Sequence, residues 1–144
     1  MSYTLPSLLL RAALAGNAAA GGTIALLLFL APHLAARSFG LPVELVLSGC
    51  VLLGGHTAAL IWLGSSATVA RALVILVFLG NLLWAAGCLA LLAAFRTELT
   101  PLGNAALLTQ AVGAVACAVA QALGLRLSRT MSRTSASFGW KGTL

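Results

Sequence analysis

Four strongly polar side chains interrupt the long apolar stretches of this sequence, one in each stretch. They are Asn17, His56, Asn81 and Gln121. An amide both donates and accepts hydrogen bonds, and a neutral imidazole can also bind a metal. Because a buried amide without a partner is costly in hydrocarbon, we expect these groups to face one another. They would then form a polar layer inside a bundle of helices.

His56, in the segment LLGGHTAAL, is the residue best suited to hold a cofactor. Gly54 and Gly55 precede it and would let a flat ring approach the backbone. A neutral imidazole could ligate the magnesium of a bacteriochlorophyll-type pigment or one side of a haem. The simpler interpretation is a histidine hydrogen-bonded to Asn81, Gln121 or a backbone carbonyl. On that interpretation the protein has no cofactor, and we predict no metal site.

Charged groups of the kind that catalysis or ion transport needs are scarce. The only acids are Glu44 and Glu98, and both fall outside the apolar stretches. A proton or cation path normally uses an Asp, Glu or Lys within the membrane. The sequence also lacks the GxSxG and HExxH motifs, and its three cysteines have no metal-binding spacing. We therefore predict that the protein is not an enzyme.

The elements that must position these residues are membrane-spanning helices. Only 7% of the 144 residues are charged, against about a quarter in soluble domains, and the mean hydropathy is +1.09. Four stretches reach the roughly 20 apolar residues that a membrane helix needs: 12–31, 43–64, 72–95 and 105–125. The prediction is an all-α membrane protein. Its four transmembrane helices would form an up-down-up-down bundle over residues 1–128, followed by a polar basic tail over 129–144.

The distribution of basic residues predicts how the bundle is oriented. One side collects six basic residues and no acid: Arg11, Arg71, Arg126, Arg129, Arg133 and Lys141. The other side has two arginines and both acids: Arg37, Arg96, Glu44 and Glu98. Because Lys and Arg favour the cytoplasmic side, we expect both termini in the cytoplasm of a bacterium and the helices in its inner membrane. Topology thus explains the net charge of +6, and we expect no nucleic-acid partner.

The tail carries residues suited to contact with lipid or with a partner. Phe138 and Trp140 could rest at the level of the headgroups, while Arg129, Arg133 and Lys141 meet anionic lipid. A disordered terminus would explain the same composition. The third alternative is a segment that becomes ordered against another protein.

Small residues recur at four-residue spacing in the first and last apolar stretches. Ala12, Gly16 and Ala20 form one set, and a second set follows later: Ala116, Ala120 and Gly124. This spacing lets membrane helices approach each other closely. We expect both sets to serve packing within the bundle.

Two long segments resemble a family of small, uncharacterised bacterial four-helix membrane proteins. They read LLRAALAGNAAAGGTIALLLFLAP…FGLP and LGNLLWAAGCLALL…LTPLGNAALLTQAVGAVACAVAQALGLRLSR, and together they cover most of residues 8–129. The resemblance implies the fold and the membrane location, and it implies no activity. In that family an acidic residue often stands at the position of Asn81. The uncharged amide here therefore argues against a proton-linked role.

The leading functional hypothesis is a non-enzymatic accessory or scaffold subunit of a larger membrane complex, such as an energy-converting or photosynthetic one. A second hypothesis is a small transporter, or a protein that binds lipids or other hydrophobic molecules at the polar layer. The third is ligation of a pigment or haem by His56. Under all three hypotheses the protein contacts the lipid bilayer. Under the first, its partner is also the larger assembly.

Overall fold

The computed structural model describes residues 3–131, which form five α-helices and three short β-strands. The helices are α1 (Leu8–Leu30), α2 (Pro32–Phe39), α3 (Val43–Ser65), α4 (Arg71–Ala94) and α5 (Pro101–Arg126). The strands are β1 (Tyr3–Leu5), β2 (Val69–Ala70) and β3 (Arg129–Met131). All helices except α2 are long and apolar enough to cross a membrane. The chain is therefore a helical multi-pass membrane protein, and α2 and the strands are additions to the predicted four helices.

Side-chain caps set the first residue of two helices. Ser7 Oγ accepts a hydrogen bond from Leu10 N at 3.1 Å, and α1 begins at Leu8 rather than at the predicted residue 12. Thr100 Oγ1 accepts from Gly103 N at 3.0 Å, so α5 begins at Pro101 rather than at 105. Such caps satisfy backbone N–H groups that the first helical turn leaves free.

The extra helix α2 occupies the connector between the first two membrane helices. Pro32 stands at its first position and Gly40 follows its last residue, the usual places for these two residue types. Gly40 has φ of 74° and donates its N–H to Ala36 O at 2.9 Å. A left-handed glycine cap of this kind ends the helix sharply.

The long helices form two antiparallel pairs, α1 with α3 and α4 with α5, joined where α1 meets α5. Between α1 and α3, Gly21 lies against Thr57, and Cys50 Sγ donates to Ala25 O at 3.2 Å. Between α1 and α5, Gly124 packs directly on the backbone of Leu10. Because α3 and α4 pack mainly on these other helices, the seam between them remains open.

The three strands form a small antiparallel sheet with β1 in the middle. Tyr3 pairs with Ala70 on one side and with Met131 on the other. Buried Thr4 donates its hydroxyl to Val69 O at 3.2 Å. Residues 3 and 131 therefore lie at the same end of the bundle, called here the sheet end. The opposite end, formed by α2 and the α4–α5 connector, is called the loop end.

The core consists of two apolar clusters at different heights in the bundle. The cluster nearer the sheet end is built mainly from large side chains, with one alanine among them: Leu10, Leu14, Ala18, Leu60, Leu63, Val69, Val74 and Val77. The cluster nearer the loop end is built from small ones: Ala85, Cys88, Ala111 and Ala114. Along α4, Asn81 lies between these two clusters. Large apolar side chains also cover the outer surface, for example Phe29, Val51, Leu83 and Val112, as expected for helices that face lipid.

Candidate functional site

Three of the four predicted polar residues form a hydrogen-bonded chain through the middle of the bundle. Asn17 Nδ2 donates to Asn81 Oδ1 at 3.1 Å, and Asn81 Nδ2 donates to Gln121 Oε1 at 3.0 Å. The chain joins α1, α4 and α5. Asn81 and Gln121 are 4% and 0% exposed, so the amides are shielded from lipid. The structure brings these three side chains together.

His56, on α3, lies beside this chain. The imidazole neighbours the Asn81 side chain and packs on Gly80, where an added Cβ would come within 3.3 Å of His56 Cε1. Nothing within residues 3–131 forms a hydrogen bond with its buried Nε2 atom. The predicted bonds from His56 to Asn81, Gln121 or a backbone carbonyl are therefore not formed through Nε2.

The His56 side chain lines a groove between α3 and α4. The groove has a volume of about 430 Å³, and its other walls are apolar: Ala59, Leu76, Val77, Leu79, Gly80 and Leu83. The groove exists because the seam between the two helix pairs is open. Gly80 has no side chain and leaves room for the imidazole. The resulting site has apolar walls and a single polar side chain, that of His56. Binding sites for small hydrophobic molecules commonly combine these two features.

Two further buried polar atoms lack a hydrogen bond to any residue that the structure describes: Gln121 Nε2 and Thr57 Oγ1. Gln121 ends the amide chain, so its NH₂ group has no further neighbour to donate to. Thr57 Oγ1 lies against Gly21, where an added Cβ would approach it to 3.0 Å. The Thr57 hydroxyl therefore serves close packing of α3 on α1.

A second polar pair lies nearer the loop end, where the sequence suggested no partners. Trp84 Nε1 donates to Gln110 Oε1 at 3.2 Å, and Trp84 also packs on Gly49. An indole N–H in an apolar bundle needs an acceptor. The presence of one tryptophan and one glutamine at similar depth was the signal that could have identified this pair.

A second groove at the loop end holds charged residues that the sequence did not join. It has a volume of about 620 Å³, and its charged or titratable lining residues are His33, Arg37 and Glu98. The first two come from α2, and Glu98 comes from the α4–α5 connector. His33 follows Pro32 in the connector between the first two apolar stretches of the sequence. It is exposed, but it belongs to a helix.

The remaining site predictions concern the tail. Arg133, Phe138, Trp140 and Lys141 lie outside the described residues, and the backbone of Arg129 lies in β3. Among residues 3–131, no three His, Cys, Asp or Glu side chains come together as a metal-binding group.

Comparison with known proteins adds no family to this description. No family model, curated protein or solved structure matches the chain. The fold and composition define the class, a multi-pass helical membrane protein. Within that class, the four apolar helices agree with the resemblance to small bacterial four-helix membrane proteins, and membership of that family stays a prediction.

Proposed function

We propose that this protein is a non-enzymatic membrane protein that binds a hydrophobic molecule in the α3–α4 groove, with His56 as the polar contact. The observation that carries the proposal is the buried Nε2 atom of His56. It has no hydrogen-bond partner among the described residues, and the His56 side chain lines a groove whose other walls are apolar. An unsatisfied buried polar group costs about 1–3 kcal/mol. A ligand that forms a hydrogen bond with this imidazole would recover that free energy.

The groove favours a ligand with an apolar body and one group that an imidazole nitrogen can contact. A carbonyl or hydroxyl oxygen suits a hydrogen bond, and the metal of a bacteriochlorophyll-type pigment or haem suits direct ligation. The ligand can enter sideways from the bilayer through the open α3–α4 seam.

The test is to identify what co-purifies with the protein in mild detergent. Organic extraction with mass spectrometry detects a small molecule, and an absorption spectrum detects a pigment or haem. We expect His56→Leu to lower the bound amount about tenfold, the effect of losing one hydrogen bond of about 1.4 kcal/mol. Gly80→Leu should do the same by filling the groove.

Gly87→Leu is the matched control for Gly80→Leu. It adds the same side chain to the same helix at a position with open space around it, so the bound amount should remain that of the wild type. Equal ligand content in all four proteins, or no ligand in any of them, would contradict the proposal. Matching size-exclusion profiles would show that the variants fold.

The accessory-subunit hypothesis remains the second candidate, and the distribution of residue sizes supports it. Gly21 and Gly124 contact neighbouring helices inside the bundle, whereas the predicted packing set at positions 12, 16 and 20 is exposed. The outward surface of α3 and α4 is bulky instead: Val51, Trp62 and Leu83 are 75%, 61% and 75% exposed. A helix of a partner protein could occupy the same seam. Cross-linking in intact membranes, followed by mass spectrometry, should then identify one recurrent partner, and a monomer without one would contradict this candidate.

We also propose that the sheet end faces the cytoplasm of a bacterial inner membrane. Three exposed arginines lie near this end: Arg11, Arg71 and Arg126. Both acids of the sequence lie at the loop end, Glu44 in the first turn of α3 and Glu98 in the connector. An excess of basic residues on one side favours its retention in the cytoplasm.

A further inference from the structure

The loop-end groove brings opposite charges from separate elements to one surface. Arg37 and His33 are one helical turn apart on α2, and Glu98 stands across the groove in the α4–α5 connector. All three side chains are exposed. Arg37 Nε makes a long contact of 3.5 Å with its own helix, at His33 O. That contact uses only one of the five N–H donors of a guanidinium group.

Tight backbone contacts hold the two sides of the groove in place. Gly40, directly after α2, packs so closely on the carbonyl of Glu98 that no Cβ could be added. Thr100 N donates to Phe39 O at 3.1 Å. These contacts fix the backbone of α2 relative to the α4–α5 connector, so the backbone of the groove is formed before any ligand binds.

The location of the groove favours a lipid headgroup. It lies at the end of the membrane-spanning helices, where headgroups meet the protein. Val43 lines the groove at the start of α3, and Leu47 and Val51 follow it at four-residue intervals along the same helix face. They are 42% and 75% exposed. A lipid with its headgroup in the groove could thus lay an acyl chain along this stripe.

We propose that this groove binds a phospholipid whose zwitterionic headgroup carries a phosphate and a primary ammonium group. Arg37, with His33, contacts the phosphate, because a guanidinium matches phosphate oxygens in geometry and charge. Glu98 accepts hydrogen bonds from the ammonium group. The groove is open to its surroundings and has a volume of about 620 Å³, which leaves room for a headgroup. This site is separate from the His56 groove, so the two proposals can fail independently.

The experiment measures lipid binding to the full-length protein by native mass spectrometry in detergent. Three lipids with the same acyl chains are compared: phosphatidylethanolamine, phosphatidylcholine and phosphatidylglycerol. We expect the first to bind about tenfold more tightly than the others, the effect of one charge-assisted hydrogen bond. Phosphatidylcholine has no N–H donor for Glu98, and phosphatidylglycerol has no ammonium group.

Two variants separate the roles of the charges. Glu98→Gln should abolish the preference for phosphatidylethanolamine, and Arg37→Gln should weaken the binding of all three lipids. Glu44→Gln and Arg96→Gln are the controls, since they remove exposed charges near the same end from residues that do not line the groove. Thermal stability without lipid should be the same in all five proteins, because every altered side chain is exposed.

Several outcomes would overturn the proposal. They are equal affinity for the three lipids, tighter binding of phosphatidylglycerol, and an equal loss of affinity in the control variants. Soluble phosphoethanolamine distinguishes a lipid from a free metabolite. It should compete only weakly, because it lacks the acyl chains that would contact Leu47 and Val51. Competition at the affinity of the lipid would instead assign the groove to a soluble ligand.

Discussion

Asn81 can join two other helices because one amide side chain carries both an acceptor and a donor. Its Oδ1 atom accepts from Asn17 on α1, and its Nδ2 atom donates to Gln121 on α5. A leucine would fill similar space, and an aspartate would have no N–H to donate when ionised. The residue type thus explains why a polar group stands among the apolar residues of α4. It fixes the rotation of three helices, because turning any of them outward would expose an amide to lipid.

The sequence led us to expect that all four polar residues face one another, and it left the order of their bonds open. Depth and polarity indicated that Asn17, Asn81 and Gln121 face inward. The position of His56 depends on the seam between α3 and α4, and no local pattern reports how tightly two helices pack. Its place in this seam therefore could not be read from residue types.

We expect Asn81→Leu to lower the free energy of unfolding by about 1–3 kcal/mol. It removes two interhelical bonds worth about 0.6 kcal/mol each and leaves buried Gln121 without any partner. The measurement is a denaturation series in mild detergent. Unchanged stability would show that the amide chain contributes nothing to the fold.

A double-mutant cycle should show that Asn81 and Gln121 act together. Because each single change to Leu leaves the other amide unsatisfied, the double variant should lose less stability than the sum of the two. Gln110→Leu is the control, since Gln110 bonds to Trp84 instead. Its effect should be additive with that of Asn81→Leu. Additivity in both pairs would contradict a coupled chain.

At the scale of the elements, the described structure departs from the sequence prediction at the helix ends and in the connectors. Apolar composition locates the part of a helix that lies in lipid, whereas a cap such as Ser7 or Thr100 sets its first residue. Pro32 and Gly40 were sequence signals for the start and the end of α2. A segment of only eight residues between two membrane helices nevertheless resembles an ordinary loop. The strands β1, β2 and β3 have two or three residues each. Such short strands exist only through pairing between distant segments, which local patterns do not contain.

Gly124 should be among the least replaceable small residues of α5. A Cβ added there would lie 2.7 Å from Leu10 Cα, so Gly124→Ala must push α1 and α5 apart. We expect a loss of about 1–3 kcal/mol of stability, the usual cost of overpacking. Gly113→Ala is the matched control on the same helix, because nothing lies near its position. It should keep or raise stability, by up to about 1 kcal/mol of helix propensity. Equal effects in the two variants, measured by thermal denaturation in detergent, would contradict the close α1–α5 contact.

For the whole molecule, the sheet ties distant parts of the chain to one end of the bundle. Strand β1 precedes the first membrane helix, β2 joins the second to the third, and β3 follows the fourth. Because β1 pairs with both β2 and β3, all three strands lie at the same end of the bundle. The chain must therefore cross the membrane an even number of times between one strand and the next. The four apolar helices satisfy this requirement with two crossings in each interval. Strand pairing does not depend on charge. It therefore constrains the membrane topology independently of the positions of the arginines.

The orientation can be tested with one cysteine at each end of the bundle. Thr68 and Thr97 are exposed, the first beside β2 at the sheet end and the second in the loop-end connector. In a background with the three native cysteines changed to Ala, a membrane-impermeant thiol reagent should label Thr97→Cys in intact cells. Thr68→Cys should react only after the membrane is opened, because the basic sheet end is retained inside. Reversed labelling would overturn the orientation and leave the bundle intact. Labelling of both sites in intact cells would contradict the spanning of the membrane by α4, since α4 alone separates them.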